Sequence, residues 1–267
     1  MGMLDLRVVI DNRGEIIMQN VAENIELPNV ELVYDDGEPL ESNWHRIQMN
    51  LLIELVHQDM ARRGISDYFA GGNMFVYYSL EQARVVAAQP TSYPRRYRGP
   101  DFIYISGVES RASRNAWVVW EEGGRYPDVI IELLSPSTAG IDKTEKKNIY
   151  ERVFRTPDYF WYDPVSNELR GWRLVGSRYQ PIEPDDEGRL YSQELDLWLG
   201  FRQAEFMRER AVWLRFYDSQ GRLVPTAAEA ERQRAEAERL RAEAAEAEVA
   251  RLRARLSESD DDHRHGN

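Results

Sequence analysis

The run Pro127-Asp128-Val129-Ile130-Ile131-Glu132-Leu133-Leu134-Ser135 is apolar enough to be a buried strand, yet it carries a carboxylate near its centre. An ionised carboxylate taken out of water is costly unless a charge or several hydrogen bonds compensate it. Glu132 therefore needs a partner. A second acid, Asp101, follows Gly99-Pro100 at the start of another apolar run, Phe102–Ile105. If the two runs are neighbouring strands, both carboxylates can converge on one hard divalent cation, Mg2+ or Mn2+, which favours oxygen ligands. Downstream, Asp142, Lys146 and Tyr150 recur at four-residue steps and so share one helical face. Lys146 can then reach a bound water or a scissile phosphate. These are parts for phosphodiester hydrolysis, in which a metal polarises the phosphate and a lysine stabilises developing charge. An ordinary ion pair on a capped amphipathic helix accounts for the same spacing, and both readings stay open at this level.

The elements that must hold these groups can be traced along the chain. Short strands are expected at Leu6–Ile10 and Val30–Tyr34. A helix is expected from Ser42-Asn43 to Arg63-Gly64, because Ile47, Leu51, Leu52, Leu55, Val56 and Met60 recur at helical spacing behind good capping residues. Strands follow at Tyr68–Ala70, Asn73–Tyr78, Phe102–Ile105, Trp117–Trp120 and Val129–Leu134, with a polar loop over Pro90–Pro100. On the strand 129–134, Glu132 and Leu134 share one face and Ile131 and Leu133 the other. Asp128 points to the Glu132 side but lies about 13 Å away along an ideal strand, which makes it structural. A helix over Asp142–Phe154 has Asp142 as N-cap and Glu145 three residues on, a capping-box pair. A strand at Tyr159–Tyr162 precedes a hairpin of Glu168–Leu174 and Arg178–Ile182, and strand-like pieces continue to Tyr217. Six of the seven tryptophans, Trp117, Trp120, Trp161, Trp172, Trp198 and Trp213, are read as sheet and core packing.

From Ala227 the composition turns to Ala, Glu and Arg. ERQRAEA at 231–237 is followed at once by ERLRAEA at 238–244, a seven-residue repeat. Ala235, Ala242, Val249 and Leu256 hold one heptad position, and Ala245 and Leu252 another. A solvated single helix or a weak coiled coil fits this pattern. Residues 1–226 are thus read as one domain, 227–256 as a helical extension and 257–267 as a disordered tail.

The chain has 267 residues, 42% of them hydrophobic, which is enough for a sizeable core. It contains no cysteine, which excludes disulfides and thiolate metal sites and fits a cytoplasmic protein. No apolar run reaches the roughly 20 residues of a membrane span, so no membrane partner is expected. Net charge is −12. The tail from Ala227 holds 11 acids and 8 bases, so the body is acidic in its own right. That excludes bulk electrostatic attraction to nucleic acid but not a local basic groove. Tyr93-Pro94-Arg95-Arg96-Tyr97-Arg98 is such a feature: Arg95, Arg96 and Arg98 interleaved with tyrosines suit phosphate contact and base stacking.

Taken together, GPDFIYI (99–105), VVWEEGGRYPDVIIELLSPST (118–138), DKTEKKNIY (142–150) and PDYFWYDP (157–164) resemble the Uma-type restriction endonucleases of cyanobacteria, within the PD-(D/E)XK nuclease superfamily. GGNMFVYYSLEQ (71–82) and RLVGSRYQPIEPDDEGRL (173–190) add to the match, which spans roughly residues 30–215. The resemblance implies an α/β fold: a restriction-endonuclease-like mixed central sheet with an αβββαβ core, here with a C-terminal helical extension. It makes Asp101 and Glu132 the metal-binding and catalytic acids, with Mg2+ or Mn2+ as cofactor and DNA as the nucleic-acid partner. The motif's second half should read acid–X–Lys, but Leu134 stands where the lysine belongs. The positive charge is then expected from the following helix. Lys146 is the best candidate, and Lys143 and Lys147 are rivals pointing about 60° and 100° away. Glu41, with His45 nearby, would support the site from the first helix.

Two functions follow from these residues: a metal-dependent endonuclease, or a catalytically inactive nucleic-acid-binding or assembly protein on the same fold. Cutting both strands usually needs two sites, so a homodimer, formed through the C-terminal helix, enters as a partner.

Overall fold

The computed structural model describes residues 6–10, 16–20, 32, 42–88, 99–109, 113–135 and 142–265. Strands β1 (Leu6–Ile10) and β2 (Ile16–Asn20) form an antiparallel hairpin. The strand expected at Val30–Tyr34 lies outside the described residues except for Leu32.

Helix α1 (Asn43–Arg63) has the bounds its sequence dictates. Ser42 caps it, its side chain accepting the His45 N–H. Gly64 ends it at φ 70°, the left-handed conformation glycine adopts without steric cost. Ile47, Leu51, Leu52, Leu55, Val56 and Met60 are all buried. Gln48, also fully buried, docks the helix by a two-way bond: its Nε2 donates to the Leu214 carbonyl (3.0 Å), and its Oε1 accepts the Leu214 N–H (2.8 Å).

Next come β3 (Tyr68–Gly71), β4 (Val76–Tyr77), helix α2 (Leu80–Ala88), β5 (Phe102–Ser106), β6 (Trp117–Val118) and β7 (Val129–Leu133). The strand expected over Asn73–Tyr78 shrinks to two residues, paired in parallel with β6. Helix α2 was not anticipated. Its start is a local device: the Ser79 Oγ accepts the Gln82 N–H (3.1 Å), and Gln82 Oε1 accepts the Tyr78 N–H (3.0 Å).

The helix after β7, α3, is wound unusually. Asp142–Lys146 and Tyr150–Phe154 are π-helical turns flanking an α segment at Lys147–Ile149. Strands β8 (Asp158–Asp163), β9 (Glu168–Val175), β10 (Arg178–Pro181), β11 (Leu190–Ser192), β12 (Leu197–Phe206) and β13 (Glu209–Tyr217) complete the body.

The central sheet is open and mixed, in the order β10-β9-β8-β7-β5-β3, with β7 and β8 parallel and the other neighbours antiparallel. The restriction-endonuclease-like architecture is therefore present: α1, then β3, β5 and β7 as antiparallel neighbours, then α3 and the parallel β8. One sheet face carries Phe102, Tyr104, Val129, Ile131 and Leu133 into a core shared with α1 and the three-stranded sheet β11-β12-β13. The other carries Ile103, Ile105, Ile130 and Leu134 against Tyr150 and Phe154 of α3. This is the alternation expected of β7, and it puts Glu132 on the α3 side.

Helix α4 (Ala227–His265) continues past Leu256, through residues expected to be disordered. The reason is compositional: neither glycine nor proline occurs from Ala227 until Gly266. No helix among the described residues is long and apolar enough to cross a membrane.

Candidate functional site

The site grows from the register of β5 and β7. Phe102 pairs with Ile131, so the next step along both strands sets Asp101 opposite Glu132. The approach to Asp101 is held by close backbone packing. A side chain at Gly99 would collide with the Met74 carbonyl (1.5 Å), and one at Gly72 with the Asp101 carbonyl (2.0 Å). Glycine is needed at both. The Asn73 N–H also donates to the Pro100 carbonyl (3.0 Å). The Asp101 carboxylate, half-buried, turns to β7 and accepts the Leu133 N–H on Oδ2 (2.7 Å).

Glu132 is fully buried. Its Oε2 accepts from Lys146 Nζ (3.0 Å) and its Oε1 from the Tyr150 hydroxyl (2.6 Å). Both donors come from α3 and lie four residues apart across its α-helical segment, so they face the same way. Tyr150 is in turn packed by Phe154 and Tyr159, with ring centroids 5.4 Å away in each case. The sequence placed Tyr150 on this face but gave it no role; the four-residue step from Lys146 was the available signal. Leu134 is buried in the α3-side core, so no cation comes from that position.

The rival lysines separate clearly. Lys147 Nζ sits 3.9 Å from the centroid of the Trp172 ring, away from Glu132. Burial lowers its pKa below the usual lysine value, with Glu151 opposing the shift. The Lys143 and Asp142 side chains lie outside the described residues, so the Asp142–Glu145 capping pair does too.

His45 approaches from the α1 side. Its Nε2 lies 3.2 Å from the Leu133 carbonyl and its Nδ1 lies 2.8 Å from the Ser42 Oγ. A carbonyl only accepts, which puts the imidazole proton on Nε2 and leaves Nδ1 to accept from the serine. Leu133 thus links the two sides: Asp101 holds its N–H and His45 its carbonyl. Asp128 is structural as expected, its Oδ2 accepting from both the N–H (2.7 Å) and the hydroxyl (2.8 Å) of Ser106. Glu41, Arg95, Arg96 and Arg98 lie outside the described residues.

The donor set suits a hard divalent cation. Asp101 and Glu132 offer only oxygen, and Lys146 offsets one of their two charges, leaving a net negative site. Two carboxylates, with water and phosphate oxygens completing the shell, is a common Mg2+ arrangement. Among the described residues no group of three or more His, Cys, Asp or Glu side chains forms a ready-made metal cage.

The sequence matches a protein-family model described as "Putative restriction endonuclease", over residues 21–205. No curated protein matches the chain. Among solved structures, a protein from Anabaena variabilis described as a "putative nuclease" is similar at 13% sequence identity and a TM-score of 0.39, covering 63% of this chain and 86% of that one.

Proposed function

The chain belongs to the Uma2 family of restriction-endonuclease-like proteins, and on that premise we propose that it is a metal-dependent endonuclease hydrolysing phosphodiester bonds of DNA. The observation that supports this reading is the Glu132–Lys146 ion pair near the end of β7, with Asp101 accepting the N–H of the next residue, Leu133. Asp101 and Glu132 would hold the cation, Mg2+ or Mn2+. When bound, it supplies Lewis-acid polarisation of the phosphate and eases deprotonation of the attacking water. Lys146 holds Glu132 in place and brings a positive charge to the developing oxyanion. Tyr150 fixes the second Glu132 oxygen, so the carboxylate cannot rotate away. His45 and Glu41 support the site from the α1 side. Arg95, Arg96 and Arg98 orient the DNA backbone, supplying locally the positive charge that an acidic body lacks. A chain without cysteine suits a reducing, cytoplasmic setting. Two copies would be needed to cut both strands at once.

One observation favours a second reading. Both Glu132 oxygens are already engaged, by Lys146 and Tyr150, in a fully buried pocket. A catalytically inactive nucleic-acid-binding or assembly protein would keep such a closed network for stability alone. Calorimetric titration with Mn2+ separates the two. The nuclease reading expects binding by the native chain and at least a tenfold loss in Asp101→Asn. Equal behaviour of the two proteins would favour the inactive reading.

A further inference from the structure

Helix α4 leaves the body from a rigid anchor. Arg215, buried in β13, donates from Nη2 and Nη1 to the two Glu229 oxygens (2.6 and 3.2 Å). Thr226 and Glu229 form a reciprocal cap. The Glu229 Oε2 accepts the Thr226 N–H (2.8 Å), and the Thr226 Oγ1 accepts the Glu229 N–H (3.2 Å). The Ala227 N–H is held by Glu54 of α1 (2.9 Å). Beyond this anchor the described side chains, as far as Arg253, are mostly exposed, including the large apolar Val249 (46%) and Leu252 (47%).

The charges on this helix fall into two sets. The first is satisfied along the helix: Arg234 with Glu231, Arg239 with Glu236 and Glu243, and Arg251 with Glu248. The second set, Arg232, Glu238, Arg241, Glu246 and Arg253, makes no ion pair among the described residues. For Glu246 and Arg253 the sequence forbids one within the helix. Three and four residues from Glu246 stand Ala242, Glu243, Val249 and Ala250. Three and four residues from Arg253 stand Val249, Ala250, Leu256 and Ser257. Arg241, Glu246 and Arg253 flank the seam of Ala242, Ala245, Val249 and Leu252.

We propose that α4 pairs with a second copy of itself as a parallel, in-register, two-stranded coiled coil. In that arrangement a residue flanking the seam on one side meets the residue five positions further on in the other helix. Arg241 then meets Glu246 of the second copy, and Glu248 meets Arg253 of the second copy. Each contact occurs twice by symmetry. The unpaired Glu246 and Arg253 thereby gain the opposite charge their own helix denies them. An antiparallel pair centred on the same apolar stretch sets Glu248 against its own counterpart, a like-charge contact. Glu231 and Glu238 occupy earlier seam positions, so pairing begins at Ala242 and the first turns splay. The arm from Ala227 to Arg241 is about 22 Å long. Parallel pairing holds both bodies at the same end of the coil, with these arms between them. The pairing does not depend on the nuclease reading.

The test uses the full chain, which has no native cysteine. Light scattering on the native protein should show a dimer. Ala242→Cys should give a disulfide-linked dimer under mild oxidation, because in-register helices bring the two copies of that position together. In the centred antiparallel pair the two positions are offset by about 15 Å along the axis, too far for a disulfide. Glu246→Arg should raise the dimer dissociation constant roughly tenfold by setting arginine against Arg241. The double variant Arg241→Glu with Glu246→Arg should restore the affinity. A monomer throughout, a higher oligomer, failure of Ala242→Cys to cross-link, or a dimer indifferent to Glu246→Arg would each overturn the proposal.

Discussion

Glu132 shows how much one side chain can demand of its neighbourhood. It stands on a strand buried from end to end, and a bare carboxylate there would be strongly unfavourable. Two donors from one helix meet it, one charged and one neutral. Tyr150→Phe removes only the hydroxyl and leaves the ring between Phe154 and Tyr159. We expect that change to lower stability by about 1–3 kcal/mol in urea unfolding, the cost of leaving one charged acceptor short of a donor. Stability equal to the native protein would show that the hydroxyl is not needed to hold the carboxylate. The need for compensation at Glu132 was legible in the sequence, since an acid in an apolar strand asks for a partner. The choice between Lys143, Lys146 and Lys147 was weaker, because ideal α-helical angles do not describe a helix with π turns at both ends. Lys147 finds its place over Trp172, a neighbour 25 positions along that spacing alone could not indicate.

The elements were legible wherever periodicity ran long. Helix α1 repeats its apolar face over about four turns, and β7 is apolar throughout except for Glu132. Helix α2 was missed because it is short, and residues 80–88 lie in a stretch to which no element was assigned. Its signal was the Ser79-x-x-Gln82 pattern, a capping box. Thr226-x-x-Glu229 repeats that pattern at the start of α4, and here the cap is tied to a buried arginine. Burial pushes the Glu229 pKa up. The hydrogen bonds and charge of Arg215, with the Thr226 N–H, outweigh this and hold it below the ordinary 4.5. A depressed carboxylate stabilises the fold above its unfolded pKa, and that contribution is lost as pH falls through the lower folded value. The stability advantage of the native chain over Glu229→Gln should therefore be full at neutral pH and shrink progressively below about pH 4.5. Denaturant unfolding at several pH values checks this, and a gap that widened in acid would contradict it.

At the scale of the whole molecule, the central sheet separates two packed faces, and the candidate site lies where they meet at the end of β7. Helix α1 delivers His45 to the Leu133 carbonyl from one side, and α3 delivers Lys146 and Tyr150 to Glu132 from the other. Asp101 closes the group from β5. The mixed α/β sheet was legible because apolar runs alternate with two helices, while the αβββαβ core was implied by the family resemblance. The small sheet of β11, β12 and β13 was seen only as strand-like pieces. Its role is to cover α1, and that depends on long-range contacts such as Gln48 with Leu214. The direct test of the central claim is cleavage of supercoiled plasmid by the purified chain with Mg2+ or Mn2+, beside Glu132→Ala and Lys146→Ala variants shown to be folded. The nuclease account predicts nicked or linear product from the native chain and at least a hundredfold less from either variant. Cleavage that persists unchanged in both variants, or a folded native chain that cuts with neither metal, would contradict it.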